Sequence, residues 1–285
     1  MSVQKKSLKL LQVQEKSERD YYRNSSNIPK EYLDYKWVKD EHNSKFYDPK
    51  FTASTDISVV NTATIESRTR ARDEALKYAS NIKENYKNGV SLLFIGGQRS
   101  GKTVLATLIL REAINKLVGS VYFVPFIQLI VESNVYFKAD IEEYTAQYID
   151  PDILCIDDID SLRETSNKFK EYFDYILTSR RLARKPTIIT SRIPVSKMRS
   201  MIGDGVYALL NDRSLYSHIN IISRDLDFED VDILSMDFDF ELNGLVEKLK
   251  EHYRKSSNKS VISSVDIHDI LKECIVLKKS KGFKK

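Results

Sequence analysis

One eight-residue run constrains the fold of this chain more than any other feature of the sequence. Residues 96–103 read Gly-Gly-Gln-Arg-Ser-Gly-Lys-Thr and match the phosphate-loop pattern G-x-x-x-x-G-K-[ST]. The apolar run 91–95 before it predicts a buried strand, and residues 104–110 after it predict a helix. The motif requires this order of strand, loop and helix. We therefore expect a nucleotide site here rather than a glycine turn with a purely structural role.

The residue types of this loop suit the binding of nucleotide phosphates. Glycines let the backbone turn tightly and point N–H groups at phosphate oxygens, and the following helix adds the positive end of its dipole. Lys102 would place a positive charge beside the β- and γ-phosphates, and the Thr103 hydroxyl would bind Mg²⁺. ATP and Mg²⁺ are therefore the expected cofactors. The predicted nucleotide contacts are Gly96, Gly97, Gln98, Arg99, Ser100, Gly101, Lys102, Thr103 and Val104.

Composition restricts the class of protein. Of 285 residues, 41% are hydrophobic and 30% charged, and the net charge is +4, which is typical of a globular protein and does not demand a nucleic-acid partner. Two cysteines, Cys155 and Cys274, are too few for a zinc site or a disulfide framework. Cys155 lies in an apolar run that predicts core. No apolar stretch predicts a signal peptide or a membrane span, so we expect a cytoplasmic protein without a membrane partner.

Apolar strands alternate with helical segments through the middle of the chain. Strands are predicted at 91–95, 120–125, 153–156, 186–191 and 218–222, and helices at 61–88, 102–117, 126–149 (as one or two), 166–183, 195–202 and 206–215. This alternation predicts an α/β fold, a parallel five-stranded sheet with helices on both faces. We divide the chain into a basic N-terminal helix and linker at 1–60, a core at 61–224 and a small helical C-terminal extension at 225–285.

Two acids follow the third predicted strand. Asp157 and Asp158 come directly after the apolar run 153–156, at the carboxyl end of a strand, where ligands bind in open α/β sheets. We expect Asp157 to hold Mg²⁺ through water and Asp158 to orient or deprotonate the attacking water. An acidic turn that caps the next helix is the alternative. The position of the acids about 50 residues after a phosphate loop favours the catalytic interpretation.

The fourth predicted strand also ends in polar residues. Thr190, Ser191 and Arg192 should lie beside the γ-phosphate and are candidates for sensing its presence. The alternative is that Thr190 and Ser191 are ordinary hydrogen-bonding residues at a strand end.

Arg213 precedes the fifth predicted strand. An arginine there can reach the nucleotide of a neighbouring subunit and stabilise charge on the transferring phosphoryl group. The alternative is a local ion pair with Asp212 or another acid. With Lys102 and Asp158, Arg213 completes the set of predicted catalytic residues.

These motifs together resemble those of the AAA+ ATPases in the DnaC/DnaI-type helicase-loader branch, which includes the IstB-type transposition helpers. The resemblance covers residues 25–223 and rests on the phosphate loop, the Asp157-Asp158 doublet, the run 185–191 and an upstream Ile28-Pro29-Lys30-Glu31-Tyr32 segment. The family usually has Asn where Arg192 stands, and a second Arg near Ser217-His218. These departures imply slow hydrolysis in a divergent member, and a phage-encoded protein working in the cytoplasm of a bacterial host would fit them.

The resemblance also implies partners. It points to a hexameric replicative DNA helicase engaged by the N-terminal arm, with residues 5–22 as the docking helix, and to single-stranded DNA bound inside a spiral or ring of identical subunits. In this branch the segment between strands two and three carries DNA contacts, which here includes Tyr136, Phe137 and Lys138. Aromatic rings beside a lysine can stack on bases and meet phosphate. The alternative for Tyr136 and Phe137 is the core of an amphipathic helix.

The leading expectation is an ATP-dependent loader that places a replicative helicase on single-stranded DNA, working as an oligomeric switch with ATPase activity. The alternative within the family is a transposition regulator of the IstB type that assembles on double-stranded DNA. A nucleotide-binding scaffold without hydrolysis stays open. A small-molecule kinase is disfavoured, because 95 residues precede the loop and no arginine-rich lid follows it.

Overall fold

Five parallel strands form a single sheet in the order β2-β3-β4-β1-β5. In the computed structural model, which describes residues 3–39, 45–49, 62–136, 141–159 and 165–221, the strands are β1 Ser91–Gly96, β2 Val121–Pro125, β3 Ile153–Asp157, β4 Thr187–Ser191 and β5 Tyr216–Ile221. Register pairs Ile95 of β1 with Ser191 of β4, and Cys155 of β3 with Ile188 of β4. The predicted parallel five-stranded sheet is confirmed. The extension predicted at 225–285 lies outside the described residues.

Helices cover both faces of this sheet. They are α1 Val3–Ser25, α2 Thr62–Ser80, α3 Ile82–Asn88, α4 Lys102–Asn115, α5 Phe126–Tyr136, α6 Ile141–Ile149, α7 Asn167–Leu182 and α8 Arg199–Asn211. Successive side chains of β1 point to opposite faces of the sheet and contribute to two hydrophobic cores. Leu92 and Phe94 pack with α2 and α4 on one face, and Leu93 packs with α5, α7 and α8 on the other. Cys155 is fully buried, as predicted.

Three element boundaries differ from the sequence prediction. The single helix expected at 61–88 is two helices, because Asn81 leaves the helical conformation with φ −99° and ψ 22°. The break expected between helices at 195–202 and 206–215 is present within α8 at Gly203, which has a non-helical φ of 82° and ψ of 167°. The outer boundaries differ, because Val195–Lys197 form a 3-10 turn and α8 ends at Asn211. β5 begins at Tyr216 rather than 218, since the buried Tyr216 pairs with Ser91.

The segment that follows α1, described at residues 26–39 and 45–47 and here called the N-terminal arm, contacts the sheet and α4. The Phe123 N–H on the edge strand β2 donates to the Ser26 carbonyl at 2.8 Å, and Asn27 Nδ2 donates to the Phe123 carbonyl at 2.8 Å. Arg111 of α4 donates to the Tyr35 carbonyl. The arm therefore occupies part of an otherwise unpaired sheet edge and lies against the helix that follows the phosphate loop.

Candidate functional site

The phosphate loop joins the carboxyl end of β1 to the first turn of α4. Gly101 has φ +93° and occupies the N-cap position of α4, with no side chain capping the first turn. A Cβ on Gly101 would stand 2.3 Å from a Tyr47 ring carbon, and one on Gly96 would stand 2.5 Å from the Ile221 carbonyl oxygen. Both positions therefore require glycine. An uncapped helix N-terminus offers its N–H groups and positive dipole end to an anion.

The Lys102 ammonium lies inside the curve of this loop. Only 7% of the residue is exposed, and Nζ donates to the carbonyls of Gly96 at 2.7 Å and Gly97 at 2.8 Å, with Ser100 Oγ at 3.4 Å. The positive charge is thus centred among the backbone groups that would surround phosphate oxygens. Phosphates that bind here must compete with carbonyl oxygens for the ammonium hydrogens.

Three elements bring polar side chains together around Asp157. Thr103 Oγ1 donates to the Asp157 carboxylate at 2.9 Å and 3.2 Å. Thr190 Oγ1, from the end of β4, donates to Asp157 Oδ1 at 2.7 Å. These hydrogen bonds to Asp157 thus connect the phosphate loop with the carboxyl ends of β3 and β4, which are neighbouring strands.

Burial controls the acidity of Asp157. Desolvation raises the pKa of its carboxyl above the ordinary range, while the hydrogen bonds from Thr190 and Thr103 and the charge of Lys102 pull the pKa down. A buried carboxylate with a raised pKa gains from a cation placed beside it, because the cation offsets the cost of desolvation.

The residues around Asp157 fit a magnesium ion. Phosphate-loop proteins hold Mg²⁺ by a loop Ser or Thr hydroxyl, a strand-end Asp and phosphate oxygens, and Thr103 and Asp157 already lie within hydrogen-bond distance of each other. The described residues contain no group of three or more His, Cys, Asp or Glu that could hold a metal without a nucleotide. The predicted metal ligands therefore suit an ion that arrives with phosphates.

Asp158 is held by backbone and side-chain contacts at once. Its φ of +60° is uncommon for a residue other than glycine and is maintained by a hydrogen bond from its N–H to Thr190 Oγ1 at 2.9 Å. Arg192 Nε lies 3.3 Å from Asp158 Oδ1, with 30% of the arginine side chain and 48% of the aspartate side chain exposed. The predicted water-orienting acid and the predicted sensor arginine therefore form an ion pair.

The three sensor candidates have different environments. Thr190 is buried and bonded to both acids, as described above. Ser191 Oγ donates to the Ile193 carbonyl at 2.8 Å and accepts from the Ile193 N–H at 3.0 Å, so it shapes the turn after β4. The side chain of Arg192 is partly exposed and is paired with Asp158. Ser191 therefore acts as an ordinary hydrogen-bonding residue at a strand end, which was the alternative to a sensing role. Thr190 and Arg192 contact Asp157 or Asp158.

Arg213 lies at the opposite end of the sheet from the phosphate loop of its own subunit. Its turn precedes β5, whose Tyr216 pairs with Ser91 at the start of β1, whereas Gly96 at the end of β1 begins the loop. Five residue rises of a strand separate the two ends, which is about 16 Å. Arg213 is exposed, and the Asp212 carboxylate accepts from the Ser214 N–H at 2.8 Å and the Ser214 hydroxyl at 2.6 Å. The local Arg213–Asp212 pair weighed from the sequence is not formed.

Two tyrosines of the arm approach the site and were not among the sequence candidates. The Tyr47 hydroxyl donates to the Ser100 carbonyl at 3.3 Å, and its ring covers Gly101. Burial, with smaller contributions from Glu31 and Asp157, raises the pKa of Tyr32 to about 12. The aromatic density of residues 25–60 was the available signal, but no local pattern specifies which ring meets the loop.

The remaining candidates are placed as follows. Gln98 and Arg99 are exposed on the loop, and Val104 is partly buried in the first turn of α4. Of the three DNA candidates, Tyr136 is the last residue of α5, and Phe137 and Lys138 lie outside the described residues.

Sequence comparison gives one family match. A family model described as "IstB-like ATP binding protein" matches residues 75–225, which is 151 of the 285 residues. The matched region contains the phosphate loop, both acids, the β4 strand end and Arg213. Comparison with curated protein sequences gave no match. In the part of the chain that the structure describes, no helix has the length and apolar character needed to span a membrane.

Solved structures with a similar fold come from DNA replication proteins. The DnaC helicase loader is 23% identical with a TM-score of 0.49, over 57% of this chain and 92% of that one. DnaI is 22% identical with a TM-score of 0.47, over 53% and 85%. AMPPCP-bound DnaA from Aquifex aeolicus is 18% identical with a TM-score of 0.46, over 67% and 63%. None of these scores reaches 0.5, so the family assignment rests on the sequence model.

Proposed function

The chain belongs to the family of IstB-like ATP binding proteins, and from this premise we propose that it loads a hexameric replicative DNA helicase onto single-stranded DNA as an ATP-controlled oligomer. The observation that carries the proposal is the hydrogen-bonded chain Thr103–Asp157–Thr190, which joins the phosphate loop to two neighbouring strand ends. A magnesium–phosphate site uses the loop threonine and the strand-end aspartate, and the bond to Thr190 would let ATP act on β4 as well as on the loop.

The proposed chemistry divides the work among four side chains. Lys102 would neutralise the β- and γ-phosphates. Thr103 would bind the Mg²⁺ ion directly and Asp157 would hold it through water, and the ion would supply positive charge beside the phosphate oxygens. Asp158 orients the attacking water and takes up its proton. The Asp158 side chain is one methylene shorter than a glutamate in the same role would be. It reaches the attacking water less well, so we expect hydrolysis to be slow.

Arg213 completes the site of an adjacent subunit in this proposal. Its position at the far end of the sheet keeps it from its own nucleotide, so a contribution to hydrolysis requires a head-to-tail neighbour. Guanidinium groups supplied in this way stabilise the charge of the transferring phosphoryl group. ATP hydrolysis would then depend on assembly, which a spiral or ring on single-stranded DNA provides.

The N-terminal arm would connect the nucleotide site with the helicase. Helix α1 exposes Leu11, Val13 and Tyr21 at 55%, 60% and 69%, a set of apolar side chains suited to docking a partner. The same arm reaches the phosphate loop through Tyr47 and Ser100. A change in the loop on nucleotide binding can therefore alter the support of the docking helix.

The first experiment measures assembly and hydrolysis together. We expect ATP with single-stranded DNA to increase the sedimentation coefficient, to stimulate ATPase activity and to allow co-sedimentation with the replicative helicase of the same cell. Lys102→Ala should lose all three. The proposal fails if neither ATP nor DNA changes sedimentation and the helicase does not bind. Filaments on double-stranded DNA that form without a helicase would instead indicate the transposition regulator.

A mixing experiment tests the shared site. Asp158→Asn, which keeps the phosphate loop and therefore nucleotide-dependent assembly, and Arg213→Ala should each abolish hydrolysis. An equimolar mixture should regain it, because about one quarter of randomly formed interfaces join an intact acid to an intact arginine. The matched control is a mixture of Asp158→Asn with the double variant Asp158→Asn/Arg213→Ala, in which no interface is complete. An Arg213→Ala protein with normal activity would rule out the shared site.

A further inference from the structure

The ion pair between Arg192 and Asp158 occupies the place where the γ-phosphate of ATP is expected. Ser191 pairs with Ile95 in the register of β4 and β1, so Arg192 follows directly beside the start of the phosphate loop at Gly96. On its other side, β4 neighbours β3, which ends at Asp157 and leads into Asp158. Arg192 therefore stands between the loop and the acid that is proposed to orient water.

In this position the Asp158 carboxylate and a γ-phosphate would compete for the Arg192 guanidinium. The Asp158 carboxylate carries one charge and is about half exposed, so its pairing with Arg192 is weak by the standard of partly hydrated ion pairs. A γ-phosphate carries more charge and presents oxygens that match the two-pronged geometry of a guanidinium. ADP lacks this group and offers nothing in its place.

We propose that Arg192 is a γ-phosphate-dependent switch: it holds Asp158 when no γ-phosphate is bound, and it transfers to that phosphate when ATP binds, which releases Asp158 to orient water. This inference rests on the proposed ATP site and adds a means of coupling triphosphate recognition to activation of the acid. Thr190 keeps the backbone of Asp158 fixed during the exchange, because the Asp158 N–H bonds to its hydroxyl.

The switch makes a distinctive prediction about binding. Arg192 has to leave Asp158 to reach the phosphate, so removing the carboxylate should make ATP bind more tightly. Asp158→Asn should tighten the binding of AMPPNP, a nonhydrolysable ATP analogue, by about three-fold, in line with a half-exposed ion pair. Binding of ADP should not change. Arg192→Gln should weaken AMPPNP about ten-fold and leave ADP unchanged.

A double-mutant cycle separates the switch from simple charge removal. Affinities of the full chain for AMPPNP and ADP, each with Mg²⁺, are measured by calorimetry for the wild type, Asp158→Asn, Arg192→Gln and the double variant. With Arg192 absent, Asp158→Asn should no longer tighten AMPPNP. An equal gain in both backgrounds would mean that the carboxylate merely repels phosphate, and the proposal would be wrong.

Two controls fix the interpretation. Arg199→Gln breaks another exposed Arg–Asp pair, with Asp204 at 2.6 Å on α8, and should change neither affinity. Unchanged ADP binding in each variant shows that the loop is folded. If the wild type binds neither nucleotide, the proposed function itself fails. If it binds both and the cycle shows no coupling for AMPPNP, only the switch is refuted.

Discussion

Substitution of Thr190 gives the sharpest test of how the site is built, because the Thr190 hydroxyl makes two of the hydrogen bonds in the site. It donates to the Asp157 carboxylate at 2.7 Å and accepts from the Asp158 N–H at 2.9 Å, in a residue that is 1% exposed. Thr190→Val keeps the shape and removes both bonds. Loss of a hydrogen bond to a charged group and an N–H left without its acceptor together cost about 3 kcal/mol.

The assay is urea unfolding of the full chain at pH 7.5, with Thr190→Ser as the matched control. Serine keeps the hydroxyl and deletes one buried methyl group, so it should lose only about 1 kcal/mol. A valine variant that loses less than about 1 kcal/mol, or no more than the serine variant, would refute the reasoning, because the hydroxyl would then not be bonded as described.

The effect of Thr190→Val should also depend on pH. Burial raises the pKa of the Asp157 carboxyl, and the hydrogen bond from Thr190 partly opposes this effect. Thr190→Val removes that hydrogen bond and should therefore raise the pKa of Asp157 further. A carboxyl whose folded pKa is raised costs stability as pH rises from the unfolded value, about 3.9, through the folded value. The deficit of the valine variant should therefore be larger at pH 7.5 than near pH 4. An equal deficit at both pH values would contradict this assignment.

Four further outcomes follow from other contacts. Tyr47→Phe should lower the free energy of unfolding by about 1 kcal/mol through loss of the bond to Ser100, and no loss would contradict that bond. Arg180 is 1% exposed and donates to carbonyls on two loops, so Arg180→Lys should cost about 3 kcal/mol in urea unfolding, and a loss under about 1 kcal/mol would count against this role. Burial chiefly lowers the pKa of His218, and Arg213 adds to the effect, so Arg213→Gln should raise that pKa in an NMR titration, and an unmoved pKa would contradict it. Because the folded pKa is lowered, His218 costs stability as pH falls through about 6.5, and His218→Asn should remove that acid-side loss.

The sequence predicted the parallel sheet and the placement of Asp157 and Thr190 at the carboxyl ends of strands, because both follow from local rules. Apolar strands that alternate with helices form parallel sheets, and the carboxyl ends of parallel strands lie along one edge. The break at Asn81 escaped prediction, since helical periodicity continues across it and only the backbone angles mark the change of direction.

Long-range contacts explain the rest of the difference. Tyr47 meets the phosphate loop across 53 residues of sequence, and no pattern in residues 25–60 distinguishes it from the other aromatic residues of the arm. The pairing of Arg192 with Asp158 needs the strand order, in which β4 lies between β1 and β3. The parallel direction of β1 and β5 places Arg213, which precedes β5, at the end of the sheet away from its own loop.

The contacts of Lys102 and Arg192 imply that ATP binding is an exchange of partners. Lys102 is bonded to the carbonyls of Gly96 and Gly97, and Arg192 is paired with Asp158. Phosphates must replace these contacts, so part of their interaction energy rearranges the loop and the acid instead of appearing as affinity. The rearranged loop also carries the Ser100 carbonyl that anchors Tyr47. In the proposed loader, the N-terminal arm would respond to the same exchange, and this would couple the nucleotide site to the helicase.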